Sequence, residues 1–328
     1  MKSSVSFSAS ASRSGFGRRE VRAFTVLELL AVIAVVCAGA LTLAPALART
    51  KPNVRAFQCL ENLRRLQGAL AMYSHDNHDL LPPNPDDGNT LPGYEWVAGD
   101  VSGGMPPGSP AFGSDMTNPN NLTDPTLDLI GSYLGRNPAP FKCPADPRYG
   151  LYHGPNPSLR GTIIPAVRSV SMNQGVGTID PTFSASGAGH SGKPTIPTNG
   201  PWLTGDHGAN RAGTGPYATF GRMTDFGFAS PGGIFVLVDE NPWSINDASL
   251  AVIAGESELI DYPASYHING ASFSFADGHV ESHQWLSTVM ALGGDATLTS
   301  APPGTLAYED WYWLASHATK NLRTGNVP

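Results

Sequence analysis

Positive charge is scarce along most of this chain. Its 328 residues carry 20 Lys and Arg against 27 Asp and Glu, a formal net charge of −7. Five of the basic residues, Lys2, Arg13, Arg18, Arg19 and Arg22, fall within residues 1–23 beside the single acid Glu20, so the rest of the chain bears −11. Nucleic acid as a partner requires cationic surface to displace counterions from phosphates, and the acidic body excludes it. Cysteine is also rare. Cys37, Cys59 and Cys143 show no paired CxxC spacing, which argues against a zinc site. No G-x-S-x-G element offers a serine nucleophile, no glycine loop is built to cradle a phosphate, and no EF-hand-like spacing provides for calcium.

Turn formers, by contrast, are plentiful: 37 Gly and 29 Pro point to long loops around a small sheet. The one long apolar run is Phe24 to Leu47, whose only charged residue is Glu28. A bilayer core of about 30 Å needs about 20 apolar residues at helical rise, so residues 24–48 read as a transmembrane helix. A carboxylate there costs about 2.5–3.5 kcal/mol at mid-bilayer, so Glu28 needs a partner. Cleavage between Ala23 and Phe24 would supply one, because the new α-ammonium of Phe24 lies one helical turn away, or beside the Glu28 of a neighbouring copy. The basic start then stays cytoplasmic, with a single pass through the inner membrane and an extracytoplasmic C-terminal head. The competing reading is a cleaved secretory signal ending at Ala46-Leu47-Ala48; the length of the run and Glu28 count against it.

A helical period resumes beyond the apolar run. Phe57, Leu60, Leu63, Leu66, Leu70 and Tyr73 recur at intervals of three and four, opposite Glu61, Arg64, Arg65 and Gln67. Residues 49–78 therefore read as an amphipathic continuation of the helix, and residues 79–328 as an exported head. His75, Asp76, His78 and Asp79 crowd the helix end, as metal ligands or as a solvated terminus. Cys59 and Cys143 fall on the exported side, where a disulfide between them would tie helix to head; Cys37 reads as a small apolar residue. Residues 82–232 are dominated by loop formers.

Strand signals concentrate later in the chain. Ile234 to Glu240 reads as a strand buried on both faces. Around Asp277-Gly278 the alternation predicts a hairpin over 267–285 with a two-residue type I′ turn. That register puts Phe273, Phe275 and Val280 on the core face and Ser272, Ser274, His279, Glu281 and His283 on the other. His279, Glu281 and His283 then make a possible two-His, one-carboxylate metal set, or the solvent side of the hairpin. Asp239 and Glu240 with Asp277 are alternative calcium ligands. Trp285, Trp311 and Trp313 read as aromatics that close the core or cover a sheet edge.

The start of the chain resembles the type IV prepilins and pseudopilins: basic residues Arg18, Arg19 and Arg22, a small residue, then Phe24-Thr25 and Glu28 before an apolar helix. Where that family usually has Gly before the cut, this chain has Ala23. The segment Cys59-Leu-Glu-Asn-Leu, the element Phe141-Lys-Cys-Pro-Ala-Asp146 and the nine residues between His267 and Asp277-Gly278 resemble the pilin-like proteins that end in an H-X9-DG element. The resemblance implies an α+β, pilin-like fold, with a long N-terminal transmembrane and amphipathic helix on a small antiparallel sheet with long loops. It implies a non-enzymatic structural subunit of a type II secretion pseudopilus or type IV pilus-like filament, with no cofactor. Residues 1–23 would be a leader removed by a prepilin peptidase, and the mature Phe24 would be methylated. Other pilin-like subunits, an assembly ATPase and an inner-membrane platform would be partners. The alternatives are a membrane-anchored extracytoplasmic module binding a polysaccharide or surface partner and, further off, an exported metallohydrolase.

Overall fold

The computed structural model describes residues 26–84, 95–103, 115–180, 196–198, 200–205, 215–292 and 298–325. The chain divides into two compact units, Met1–Thr50 and Lys51–Pro328. In the first unit, helix α1 (Val26–Asp76) begins, and every side chain from Val26 to Val35 is exposed. Among the described residues no helix is long and apolar enough to cross a membrane. This overturns the transmembrane helix expected over 24–48, the signal-anchor reading and the single-pass inner-membrane location. The leader and the Ala23–Phe24 junction lie outside the described residues.

The second unit is built on a five-stranded sheet. Its strands are β1 (Val170–Asn173), β2 (Phe235–Asp239), β3 (Ser249–Leu250), β4 (Gly270–Phe275) and β5 (Val280–Gln284). The spatial order is β5-β4-β2-β1-β3. All neighbours are antiparallel except β1 and β3, which run parallel with Met172 opposite Ser249. Every residue of β1, β2 and β4 is buried, because both faces of the sheet are covered. Leu63, Leu66 and Leu70 of α1 pack with Val170, Met172, Val236 and Leu237 on one face. Against the other face, Phe235, Val238, Phe273 and Phe275 pack with Trp285 and with Trp311 and Leu314 of a C-terminal helix, Leu306–Ala318. That helix is capped by Thr305, whose hydroxyl accepts from Tyr308 N at 3.2 Å. Asp310 within it accepts the amides of Leu286 and Ser287 at 2.8 and 2.9 Å, tying the helix to the chain after β5.

The fold is thus mixed α/β, a covered five-stranded mixed sheet, and not the α+β, pilin-like arrangement of a transmembrane helix on a small antiparallel sheet. The expected hairpin register is also off by one. Val280 pairs with Ser274 and Glu281 with Phe273. Phe275 N donates to His279 O at 2.9 Å and Gly278 N to Phe275 O at 2.9 Å, so the loop has three residues and ends on Gly278 at φ +91. A one-residue slip exchanges the faces. Phe273 and Phe275 share theirs with His279, Glu281 and His283, while Ser272 and Ser274 face α1, where Ser274 Oγ donates to Gln67 Oε1 at 3.1 Å.

Candidate metal centre

Four chemistry-bearing side chains meet in the seam between α1 and the sheet. Cys59 lies on the buried stripe of α1, and Asp239 is the last residue of β2. Cys143 opens the tight turn in which Asp146 N donates to Cys143 O at 3.1 Å. His267 precedes Ile268 and Asn269, both at φ +57, whose left-handed turn reverses the chain into β4. A branched side chain adopts that conformation only under compulsion. Here the compulsion includes Asn269, whose Nδ2 donates to Trp285 O at 2.9 Å and to Ser287 O at 2.8 Å.

One ligand atom from each of Cys59, Cys143, Asp239 and His267 lies within 4.8 Å of the others, and all four residues are buried. Cys59 Sγ donates to Asp239 Oδ2. Cys143 Sγ is 3.3 Å from His267 Nε2, and His267 Nε2 is 3.7 Å from Asp239 Oδ2. Both cysteines are free thiols, so the disulfide read from the sequence is not formed in this structure. Cys143 Sγ also accepts from Ala145 N at 3.4 Å, and Cys143 N donates to Ser169 Oγ at 2.7 Å. Asp239 Oδ1 and His267 Nδ1 are buried without a hydrogen-bond partner.

Electrostatics mark the cluster as uncomfortable by itself. Burial, reinforced by Cys143 and Asp239, pushes the Cys59 thiol well above its ordinary value. Burial raises the Asp239 carboxyl, against the opposing bonds from His267 and Cys59. For His267, burial acts downward, but Asp239 and Cys143 outweigh it and hold the imidazole at about 9. Two sulfurs, one imidazole nitrogen and one carboxylate oxygen form a donor set suited to a tetrahedral ion, and its burial leaves no open coordination position for substrate.

The other residues picked from the sequence are dispersed. His267 and Asp277 of the H-X9-DG element sit at opposite ends of β4, and Asp277 accepts from His279 N at 3.0 Å. The set His279, Glu281 and His283 does not converge. His279 Nδ1 lies 2.5 Å from Asp277 Oδ1 and its ring stacks on Phe275, while the His283 ring stacks on Trp313 at 3.7 Å. Burial lowers the His283 imidazole to about 4. Glu240 is held by Ser244 Oγ at 2.9 Å and follows the C-terminal end of β2, whereas Asp277 follows Phe275, which pairs with Phe235 at the other end of that strand. At the helix end, Asp76 accepts from Tyr133 Oη at 3.0 Å and Asp79 from Thr224 Oγ1 at 2.5 Å. Among the described residues only the Cys59 cluster gathers three or more metal-type donors. Sequence reading named all four members but paired Cys59 with Cys143 as a disulfide and explained Asp239 and His267 apart from them; the signal it passed over is that Cys59, Cys143 and His267 all lie in the fragments that carry the pilin-like resemblance. No family model, curated protein or solved structure matches this chain.

Proposed function

We propose that this chain is a non-enzymatic structural subunit that assembles with further copies of itself through the start of α1, as the pilin-like resemblance implies. The observation that carries the reading is the exposure of Val26, Leu27, Leu29, Leu30, Val32, Ile33 and Val35, each between 49% and 79%. These residues occupy all sides of the helix, so no single neighbouring face satisfies them. A contiguous exposed apolar surface of this kind marks an interaction site. The occupant that fits it is the same segment of a second copy, since a helix that is apolar on every side except at Glu28 packs on its like. Prepilin peptidase, other pilin-like subunits, an assembly ATPase and a platform protein are the partners this reading requires.

The test is in vivo cross-linking of the full chain. The native protein should give ladders of multimers, and Leu30→Lys with Ile33→Asp should reduce them to monomer without moving the thermal transition of residues 51–328. Ladders unchanged by the double substitution would refute the assignment of residues 26–35 as the contact.

A further inference from the structure

We propose that Cys59, Cys143, Asp239 and His267 bind one structural zinc ion that pins α1 to the central sheet. This inference stands on the second unit alone and does not depend on the assembly reading.

Distances supply the first argument. Zinc bonds of about 2.3 Å to sulfur and 2.0–2.2 Å to nitrogen or oxygen put tetrahedral donors roughly 3.3–3.8 Å apart. Cys143 Sγ to His267 Nε2 is 3.3 Å and His267 Nε2 to Asp239 Oδ2 is 3.7 Å. All four donor atoms lie within 4.8 Å of one another; the Cys59 Sγ and Asp239 Oδ2 pair, in direct hydrogen-bond contact, opens on binding an ion as the wider pairs close. The second argument is the support around the donors. The Ala145 amide directed at Cys143 Sγ at 3.4 Å supplies the type of second-layer contact that steadies a ligating thiolate. Asp239 Oδ1 is buried and unpartnered, an orphaned acceptor at the site that an ion would explain. Softness decides the metal: two thiolates with one imidazole and one carboxylate select zinc over calcium or magnesium, which take oxygen shells.

The site also makes sense of where the ligands lie in the chain. Cys59 and Asp239 are 180 residues apart, and Cys143 and His267 are 124 apart. Closing such long loops through one ion removes much of the freedom of the unfolded chain. The absence of any CxxC spacing, which makes the sequence look unsuited to zinc, reflects ligands drawn from four separate segments instead of two knuckles.

The test uses the untagged full chain, produced with zinc in the medium and dialysed against zinc-free buffer. Elemental analysis should find one zinc per chain. Cobalt exchanged into the native protein should give the sulfur-to-metal charge-transfer and intense visible bands of a tetrahedral thiolate site. Cys143→Ser and His267→Ala should lose the ion and those bands, while His279→Ala with His283→Ala should keep both. Thiols counted in denaturant without reductant should number three, the full cysteine content. A count of one would reveal a Cys59–Cys143 disulfide and overturn the proposal. So would a native protein that takes up neither zinc nor cobalt through thiolate, which would leave a merely hydrogen-bonded cluster.

Discussion

Asp128 offers the most direct test of the electrostatic reasoning used here. Its Oδ1 accepts the amides of Ile130 at 2.7 Å and Gly131 at 2.8 Å, while Oδ2 is buried without a partner. Burial pushes the carboxyl up to about 7, although both amide bonds oppose it. A raised folded-state value means that the native protein binds the proton more tightly than the unfolded chain. The stabilising contribution is therefore complete below about pH 4 and is lost as pH rises through about 7. At about 1.36 kcal/mol per unit, a shift of roughly three units is worth about 4 kcal/mol in full, of which about 2 to 3 kcal/mol falls between pH 5 and pH 8. Asp128→Asn keeps the accepting oxygen and removes the titration. Relative to the parent, the variant should gain about 2 to 3 kcal/mol on moving from about pH 5 to about pH 8, a difference of several degrees in Tm. Denaturant melts of both proteins at matched pH values measure it, and every other titrating group cancels in the comparison. Parallel curves, with a constant difference across that range, would refute the claim that burial dominates at this carboxyl.

Two further sites probe the buried packing. Phe273 is fully buried and meets Phe235 and Trp313 at ring distances of 5.3 and 5.0 Å, so Phe273→Ala should cost about 3–5 kcal/mol in urea unfolding. A loss below about 1 kcal/mol would mean that this aromatic layer collapses around the gap. Arg148 donates to Asp146 Oδ2 at 2.9 Å and to the carbonyls of Val101 and Arg168, both at 2.7 Å, with both charged side chains fully buried. Arg148→Met leaves the carboxylate without its partner and should destabilise by about 3–5 kcal/mol, partly recovered by the double variant with Asp146→Leu; a double variant no more stable than the single would contradict this.

What the sequence revealed and what it hid follow from the range of the forces concerned. The stripe Leu63, Leu66, Leu70 announces a buried helix face, because a helix brings residues three and four apart together without help from the rest of the chain. Ile234 to Asp239 is equally plain as a doubly buried strand. The hairpin shows the limit. Asp277-Gly278 marks the turn, but the pair serves a two-residue or a three-residue loop, and the difference of one residue inverts the faces. Alternation then misled for a physical reason: Ser272 and Ser274 are small enough to lie under α1 with their hydroxyls bonded, so polar spacing did not mean solvent. The parallel strand β3 is two residues long and leaves no periodic trace at all. In the first unit, a run long enough on paper to span a bilayer gave a helix with no crossing segment among the described residues. The metal cluster was illegible as a cluster because its members are joined only by tertiary contact.

The same seam raises a question of cost that bears on why four polar side chains occupy it. Replacing a buried charged cluster with apolar residues of similar volume is often neutral or stabilising by about 1–4 kcal/mol. Leu63, Leu66 and Leu70 of α1 and Val170, Met172, Val236 and Leu237 of the sheet already pack in this seam, so the packing itself does not demand cysteine, aspartate and histidine there. Their mutual hydrogen bonds leave Asp239 Oδ1 and His267 Nδ1 buried and unbonded. A structural zinc ion supplies an apparent binding free energy of about 10–16 kcal/mol in small peptide hosts. A fraction of that exceeds what apolar packing would return at four positions. On this reasoning the chelated protein should still fold, since its apolar layers remain, but should release the Cys59 end of α1 first. Hydrogen exchange with and without chelator would show that as faster exchange confined to the helix around Cys59 and the turn at Cys143. Uniform acceleration across the sheet would contradict it.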